Sequence, residues 1–281
     1  MKYDIQQLQS SSILTKSNLP DTDYVINPYV GCQFACSYCY ATFMTRNVGR
    51  HRSEWGKFIY VKNFDETKLL KQLSKLSADK KILLSSVTDP YTFAENRLKR
   101  TRRILELIRD SEFRGSVGIL TKSPTILRDL DLISSIKGAE VGMTIPVIDD
   151  LNMRLLEPFA PSAKARVSAL EKIRQRCEVV YAFLSPLMPY HVLQKDLVLQ
   201  TLRRMQELSP NYIYAELLNL RKDIRDTMLP FIAKLPQNLQ RSFFDSPKQN
   251  LKNLQTFVNE ELDKLNLSPR LGGAMDHSIN G

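Results

Sequence analysis

The sequence predicts an α/β fold, a partial (β/α)6 TIM-like barrel with a short helical appendage at its C-terminal end. Three observations predict it. Short apolar runs alternate with amphipathic segments along the chain. From residue 81 onward these runs begin roughly 24–39 residues apart, which is the spacing of β-α-β units. Several of the runs also end in small polar or charged residues.

Six apolar segments have the character of buried strands: residues 24–27, 81–88, 116–121, 140–145, 179–184 and 212–217. Four amphipathic segments between them predict helices: residues 98–110, 126–136, 162–176 and 194–208. In the first of these helices, Ile104, Leu105 and Ile108 share one face and arginines occupy the other. Repeated strand-then-helix order predicts a parallel sheet covered by helices.

The strand ends favour a barrel over an open sheet. Thr88 and Asp89 end the second predicted strand, Lys122 follows the third, Thr144 lies on the fourth and Glu216 on the sixth. Polar groups at the carboxyl ends of many parallel strands are typical of a barrel active site. An open doubly wound sheet, the alternative, would collect them at one switch point.

The predicted domain organisation has three parts. Residues 1–22 are polar and predict a flexible N-terminal arm, and residues 23–234 form the partial barrel. Residues 235–281 form a linker and a C-terminal helical extension, with the linker at 235–250 and an amphipathic helix at 251–265.

Composition and charge favour a cytoplasmic protein with an anionic partner. The 281 residues are 43% hydrophobic and 25% charged, which excludes a disordered or collagen-like chain. The 40 Lys and Arg outnumber the 30 Asp and Glu, and a net charge of +10 favours nucleic acid or another phosphate-bearing ligand. The N-terminus lacks the apolar stretch of a secretory signal. No apolar run approaches the roughly 18 residues of a membrane helix, so we expect no membrane partner.

Three of the four cysteines, Cys32, Cys36 and Cys39, fall within eight residues directly after the first predicted strand. This spacing lets one short loop hold three thiolates around a single inorganic centre, and thiolates select zinc or an iron–sulfur cluster. Structural zinc needs a fourth protein ligand, for which the candidates are Cys177, His51, His191 and His277. A [4Fe–4S] cluster held by three cysteines has one iron open to a small molecule, which indicates catalysis rather than electron carriage.

The spacing Cx3CxΦC, with Tyr38 at the aromatic position, resembles the signature of the radical S-adenosylmethionine (SAM) superfamily. Within it, the chain resembles the subgroup related to spore photoproduct lyase (the SPL family, DNA-repair-photolyase-like). The matching segments occur in order over about residues 24–220: NPYVGC at 27–32, CSYCYA at 36–41, SSVTDPYTFAENR at 85–97, TRRILELI at 101–108, LTKSPTILRDLDLI at 120–133 and LLEPFAPSAKARVSALEKI at 155–173.

This resemblance implies a radical SAM enzyme, of lyase or oxidoreductase type. Cys32, Cys36 and Cys39 would be both metal ligands and catalytic residues, holding a [4Fe–4S] cluster. SAM would be cleaved reductively to methionine and a 5′-deoxyadenosyl radical that abstracts hydrogen from a substrate. A reducing electron donor such as flavodoxin or ferredoxin is implied. Nucleic acid is the favoured substrate class, and a peptide or a small metabolite is the competitor. A non-catalytic iron–sulfur or zinc nucleic-acid-binding module is the alternative to an enzyme.

The resemblance also implies four cofactor-binding residues. Tyr38 would lie near the adenine of SAM, Thr88 would bind the methionyl amino group, Lys122 would pair with the methionyl carboxylate and Thr144 would lie near the ribose. The Gly-Gly-Glu segment found in many radical SAM proteins is missing from this sequence. Ser86 stands where spore photoproduct lyases carry a cysteine that returns a hydrogen atom to the lesion. A hydroxyl O–H bond is too strong for that role, which makes spore photoproduct repair doubtful.

Two other features have less specific interpretations. Arg46, Arg50, His51 and Arg52 follow the cysteine segment, and they predict either phosphate contact or a solvated loop. Cys177 lies beside a predicted strand, where a buried structural thiol is expected.

Overall fold

A computed structural model of the chain describes residues 3–276. The strands are β1 Asp4–Gln9, β2 Leu14–Lys16, β3 Tyr24–Ile26, β4 Tyr29–Val30, β5 Phe58–Asn63, β6 Lys81–Leu84, β7 Ser116–Thr121, β8 Ala139–Ile145, β9 Val179–Leu187, β10 Tyr212–Leu217 and β11 Pro269–Met275. The α-helices are α1 Glu66–Leu73, α2 Glu95–Leu98, α3 Arg100–Asp110, α4 Leu130–Ile133, α5 Met153–Leu156, α6 Ala163–Arg174, α7 Lys195–Leu208, α8 Lys222–Ile232, α9 Gln237–Arg241 and α10 Pro247–Lys264. Short 3₁₀ helices span Tyr40–Val48, Arg52–Glu54, Pro124–Asp129 and Pro189–Leu193.

All six predicted strands are present, as β3, β6, β7, β8, β9 and β10. The bounds of β7 and β10 match the prediction, whereas β6 ends earlier than expected, at Leu84. It ends there because Ser85 has a φ of +65°, which lies outside the extended region. The mixed α/β class with parallel strand pairs is confirmed.

The chain forms two compact units, and strand β8 contributes residues to both. The first unit contains residues 3–35, 40–142 and 172–179. Its larger sheet has the order β2-β3-β6-β7-β8, in which β3, β6 and β7 pair in parallel and β2 is antiparallel to β3. A smaller sheet, β1-β5-β4, lies in the same unit. Helix α3 buries the apolar face that its sequence predicts, since Ile104, Leu105 and Ile108 are almost fully buried.

The second unit contains residues 36–39, 143–171 and 180–276. Its strands follow the order β8-β9-β10-β11, with β10 parallel to both β9 and β11. One apolar cluster of this unit includes residues of α5, α8 and α9: Met153, Leu156, Met188, Tyr190, Leu218, Ile224, Met228, Ile232, Leu235, Leu239 and Phe243.

The N-terminal segment, expected to be a flexible arm, contains two paired strands. Strand β1 pairs in parallel with β5 along its full length, from Asp4 opposite Phe58 to Gln9 opposite Asn63. Strand β2 pairs with β3. Most side chains of β1 are exposed, which agrees with the polar sequence of this segment. The backbone N–H and C=O groups of β1 are hydrogen-bonded to strand β5.

The segment expected to be a linker, residues 235–250, contains helix α9 and the start of helix α10. Leu235, Leu239 and Phe243 are four residues apart and bury together in the apolar cluster of the second unit. This spacing is helical, and the two prolines of the segment stand at helix starts rather than in an extended linker. The division into arm, barrel and extension remains a proposal.

No helix within residues 3–276 combines the length and the apolar character needed to cross a bilayer.

Candidate functional site

The first part of the cysteine loop is a tight turn that begins at Gly31. Gly31 has a φ of +97°, and a Cβ atom at this position would lie 2.6 Å from the carbonyl oxygen of Phe58. A glycine is therefore required on both conformational and steric grounds. After it, the backbone N–H of Ala35 donates to the carbonyl of Cys32 at 3.3 Å, and Cys32 is buried.

Gln33 and Phe34 anchor this turn. The buried side-chain oxygen of Gln33 accepts hydrogen bonds from the Ala94 N–H at 2.7 Å and from the Thr92 hydroxyl at 3.2 Å. Phe34 packs edge-on against Phe93, with ring centroids 5.3 Å apart. The turn that carries Cys32 is thus attached to residues 92–94 by hydrogen bonds and by an aromatic contact.

Cys36 and Cys39 belong to the second unit and are positioned by α5 and the residue after it. The N–H of Cys39 donates to the carbonyl of Cys36 at 3.2 Å, and the N–H of Ser37 donates to the carbonyl of Leu156 at 2.9 Å. The hydroxyl of Tyr38 donates to the carboxylate of Glu157. Cys36 is buried and Cys39 is half-buried.

Glu157 forms a buried ion pair with Arg166 of helix α6. The Arg166 guanidinium also donates to the carbonyls of Pro161 at 2.8 Å and Thr144 at 3.2 Å, and its side chain is 1% exposed. Burial lowers the pKa of Arg166, but the neighbouring Glu157 outweighs burial and raises it overall, so the guanidinium stays charged. Burial raises the pKa of Tyr38, and the neighbouring Cys36 and Glu157 act in the same direction, so Tyr38 keeps its proton.

The end of strand β6 is attached to the segment before the cysteine loop. The side-chain oxygen of Asn27 accepts the N–H groups of Ser86 at 2.9 Å and Val87 at 3.2 Å. The hydroxyl of Tyr40 donates to the carbonyl of Ser86, and the hydroxyl of Thr88 donates to the carbonyl of Gly31. Thr88 therefore lies against the backbone next to Cys32.

Asp89 joins the ends of β6 and β7. Its buried carboxylate accepts the Thr121 hydroxyl at 2.5 Å, the Lys122 N–H at 2.7 Å and the Tyr91 N–H at 2.8 Å. Burial raises the pKa of Asp89, against the opposing effect of these donors and of the Lys122 charge. The backbone of Lys122 is thereby bound to Asp89, the residue that directly follows Thr88 in sequence.

Glu95, the first residue of the short helix α2, belongs to a buried network of charged side chains. The fully buried carboxylate of Glu95 accepts hydrogen bonds from the Tyr29 hydroxyl, the Thr101 N–H at 2.9 Å and Arg128 at 2.9 Å. Arg128 also pairs with the buried Asp129 at 2.7 Å. The network fixes helix α2, which directly follows the residues that anchor Gln33 and Phe34.

The basic segment after the cysteines is largely engaged in local contacts. Arg50 pairs with Asp4 and with Glu54, and it donates to the Tyr60 hydroxyl at 3.2 Å. His51 caps the 3₁₀ helix that begins at Arg52. Arg46 is exposed. The solvated loop is the interpretation that agrees with these contacts of Arg50 and His51.

The candidates for a fourth metal ligand occupy other positions. The ring of His191 is buried, with Nδ1 accepting the Met188 N–H at 3.0 Å and Nε2 donating to Asp150 at 2.9 Å. Cys177 is buried after helix α6, where burial raises the pKa of its thiol. His51 is the helix cap already described, and His277 lies outside the described residues.

The donor set of the loop fits an iron–sulfur cluster by its chemistry. Three of the four cysteines of the chain lie in one anchored loop. Soft sulfur donors select such a cluster over hard cations. In the part of the chain that the structure describes, no three His, Cys, Asp or Glu side chains are grouped as a metal site, so it shows the donor residues rather than an assembled centre.

The predicted site residues form two hydrogen-bonded sets, one in each unit. In the first unit, Thr88 contacts the backbone beside Cys32, and the backbone of Lys122 is bound by Asp89. In the second unit, Tyr38 is connected to the carbonyl of Thr144 through the buried Glu157–Arg166 pair: the chain of contacts is Tyr38, Glu157, Arg166 and Thr144. Sequence reasoning assigned no role to Asn27, Gln33, Asp89, Glu157 or Arg166, although most lie within the motif segments.

Comparison with known proteins identifies a relative of similar length. The chain is 35% identical over 222 residues to the uncharacterized protein MJ0683 of Methanocaldococcus jannaschii, a match that covers 78% of this chain and 80% of that protein. The chain belongs to the MJ0683 family. No model of a protein family matches the chain.

The fold of this MJ0683 family member is that of spore photoproduct lyase. A structure of that lyase complexed with dinucleoside spore photoproduct matches with a TM-score of 0.71 at 12% identity, covering 96% of this chain and 82% of the lyase. A mutant of the lyase with bound AdoMet and dinucleoside spore photoproduct matches with a TM-score of 0.68 at 14% identity, covering 96% of this chain and 81% of the lyase. The suspected relation to the lyase is confirmed in its fold, as is the predicted partial barrel.

Proposed function

We propose that this chain is a radical SAM enzyme in which Cys32, Cys36 and Cys39 hold a [4Fe–4S] cluster. The observation that carries the proposal is the anchored three-thiol loop on a fold shared with spore photoproduct lyase. The fit of His51 and His191 into other hydrogen-bonded positions supports it further, because a zinc site would need a fourth ligand.

Cys32, Cys36 and Cys39 would hold the cluster, which when bound would supply the electron for reductive cleavage of SAM to methionine and a 5′-deoxyadenosyl radical. The chain's own residues orient the SAM. The Lys122 ammonium pairs with the methionyl carboxylate, since a charge-assisted bond of this kind is strong and directional. Thr88 binds the methionyl amino group. Asp89 acts as a positioning residue, because it holds the backbone of Lys122 and directly follows Thr88.

Tyr38 and Thr144 are the other two residues that the resemblance assigns to SAM. Tyr38 would lie near the adenine and Thr144 near the ribose. The buried Glu157–Arg166 pair fixes both residues, because Glu157 accepts from the Tyr38 hydroxyl and Arg166 donates to the Thr144 carbonyl.

Nucleic acid is the proposed substrate class, on the strength of the +10 net charge. The lyase with the same fold is complexed with a dinucleoside photoproduct. Because Ser86 cannot return a hydrogen atom as a thiol does, we propose a reaction on nucleic acid other than repair of that photoproduct. Binding to oligonucleotides that weakens as salt rises is the expected result. No binding at low salt would transfer the proposal to a peptide or a small metabolite.

Anaerobic reconstitution tests the enzyme itself. The reconstituted protein should contain about four iron atoms per chain and should produce 5′-deoxyadenosine from SAM when reduced with dithionite. Cys32→Ala, Cys36→Ala and Cys39→Ala should each abolish this product, whereas Cys177→Ala, the matched thiol control, should not. One zinc ion per chain without SAM affinity would contradict the proposal and favour a binding module.

A further inference from the structure

We propose that the exposed residues Phe93, Arg97 and Lys99, here called the α2 surface, are the docking site of a small acidic electron-carrier protein of the flavodoxin kind. The inference rests on the proposed function and adds the place at which the electron enters. One electron would leave the reduced flavin of the carrier, oxidising it by one electron, and would reduce the cluster by one.

The α2 surface is in direct contact with the cysteine loop. Phe93 is 40% exposed, and its ring packs edge-on against Phe34, which is 1% exposed and lies between Cys32 and Cys36 in sequence. The residues on either side of Phe93 hold Gln33 by hydrogen bonds. A protein bound over Phe93 would therefore be separated from Phe34, a residue of the cysteine loop, by the Phe93 ring. Electron transfer between proteins falls steeply with distance, so this contact is favourable for it.

The charge of the α2 surface suits an acidic partner. Arg97 and Lys99 are exposed, and within residues 3–276 neither side chain forms an ion pair. The basic residues that follow differ, since Arg102 pairs with Asp129 and Arg103 with Glu66. Two exposed cations without an ion pair within residues 3–276, on a chain of net charge +10, would steer an acidic carrier to this place.

The α2 surface is also held in place by the buried contacts of helix α2. The buried Glu95 network fixes helix α2, and the Glu95 carbonyl accepts the Lys99 N–H at 3.1 Å. A preorganised surface loses little conformational entropy on binding. Phenylalanine and arginine are both enriched in protein interfaces relative to the rest of the protein surface. Single-stranded nucleic acid instead needs several stacking rings along a basic groove, which favours a protein partner here.

Two variants and a matched control test the proposal. Phe93→Ala removes the ring, and the double variant Arg97→Glu with Lys99→Glu reverses the charge. The control, Arg114→Glu with Lys137→Glu, makes the same change in charge at exposed positions near the amino ends of β7 and β8. Each protein is assayed for SAM cleavage with reduced flavodoxin and, separately, with dithionite. Flavodoxin binding to the cluster-free protein is measured by isothermal titration calorimetry at low and high salt.

Both test variants should lower flavodoxin affinity by about tenfold or more. The charge-reversal variant should also lower flavodoxin-driven kcat/KM by about tenfold while its dithionite-driven cleavage stays unchanged. Phe93→Ala is judged by affinity alone, because the Phe93 ring also packs against the cysteine loop. The control should keep all three quantities. Equal flavodoxin-driven rates and affinities in test and control variants would overturn the docking site. If dithionite drives no cleavage in the wild type, the proposed function fails, and the calorimetry still decides the docking site. Loss of oligonucleotide binding with flavodoxin affinity unchanged would assign the α2 surface to nucleic acid and overturn the proposal.

Discussion

Replacing Arg166 with methionine tests the buried ion pair that positions the Cys36–Cys39 part of the loop. Methionine preserves most of the side-chain volume but removes the guanidinium. The carboxylate of Glu157 would then be buried without a countercharge, and the carbonyls of Pro161 and Thr144 would each lose a donor.

The structure sets the expected size of the effect. Both side chains of the pair are nearly inaccessible, at 1% for Arg166 and 4% for Glu157. Removing one member of such a pair leaves an uncompensated buried charge, which costs about 3–5 kcal/mol. The free energy of unfolding of Arg166→Met should fall by about this amount. Because Glu157 also accepts from Tyr38, the reconstituted iron content should fall as well.

Urea denaturation followed by circular dichroism measures the loss, and Lys164→Met is the control. Lys164 is on the same helix and pairs with Asp149 at 2.9 Å, but these side chains are 76% and 53% exposed. An exposed pair of this kind contributes little to stability, so the control should stay close to the wild type. Equal destabilisation by Arg166→Met and Lys164→Met would refute the role given to the buried pair.

Three further predictions concern the loop and the buried carboxylate of Asp150. Gly31→Ala should lower both the free energy of unfolding and the iron content more than Gly49→Ala. Both glycines have positive φ, but of the two only Gly31 has no room for a Cβ atom; equal losses measured by urea denaturation and iron assay would contradict this. Gln33→Ala should lower the free energy of unfolding by about 1–3 kcal/mol, since two buried donors lose their acceptor; an unchanged urea midpoint would refute it. Burial raises the pKa of Asp150, but hydrogen bonds, led by the one from His191, lower this pKa overall. The stabilisation that Asp150 provides is therefore complete above about pH 4 and is lost as the pH falls through the lowered pKa. Asp150→Asn should therefore flatten the fall in urea midpoint with acid, and a slope equal to the wild type would rule this out.

The sequence predicts elements with a clear apolar period and misses those that depend on distant partners. The patterns of β7, β10 and α3 are local, and they form close to the predicted bounds. Strand β1 has a polar sequence and forms because β5, some fifty residues later, supplies its hydrogen bonds. Residues 126–136, predicted as one helix, instead begin as the 3₁₀ helix Pro124–Asp129, where Asp129 is drawn to Arg128 and Arg102.

Much the same division applies to the candidate site. The three cysteines could be identified from spacing alone, and the residues at the strand ends from the resemblance. The supporting contacts could not, because Glu157 and Arg166 lie more than a hundred residues from Tyr38 in sequence. Asp89 was visible as part of a motif, but its bonds to Thr121 and Lys122 depend on the register of two strands.

The carboxylate of Asp89 fixes the distance between the ends of strands β6 and β7. A slip of β7 by one residue would break its bonds to Thr121 and Lys122 together, so the spacing between Thr88 and Lys122 is locked to the sheet. If Thr88 and Lys122 bind SAM as we propose, substitutions elsewhere in a homologue could change the substrate without changing the spacing of Thr88 and Lys122. Relatives that differ in substrate should accordingly retain an acidic side chain at this position and vary in other segments.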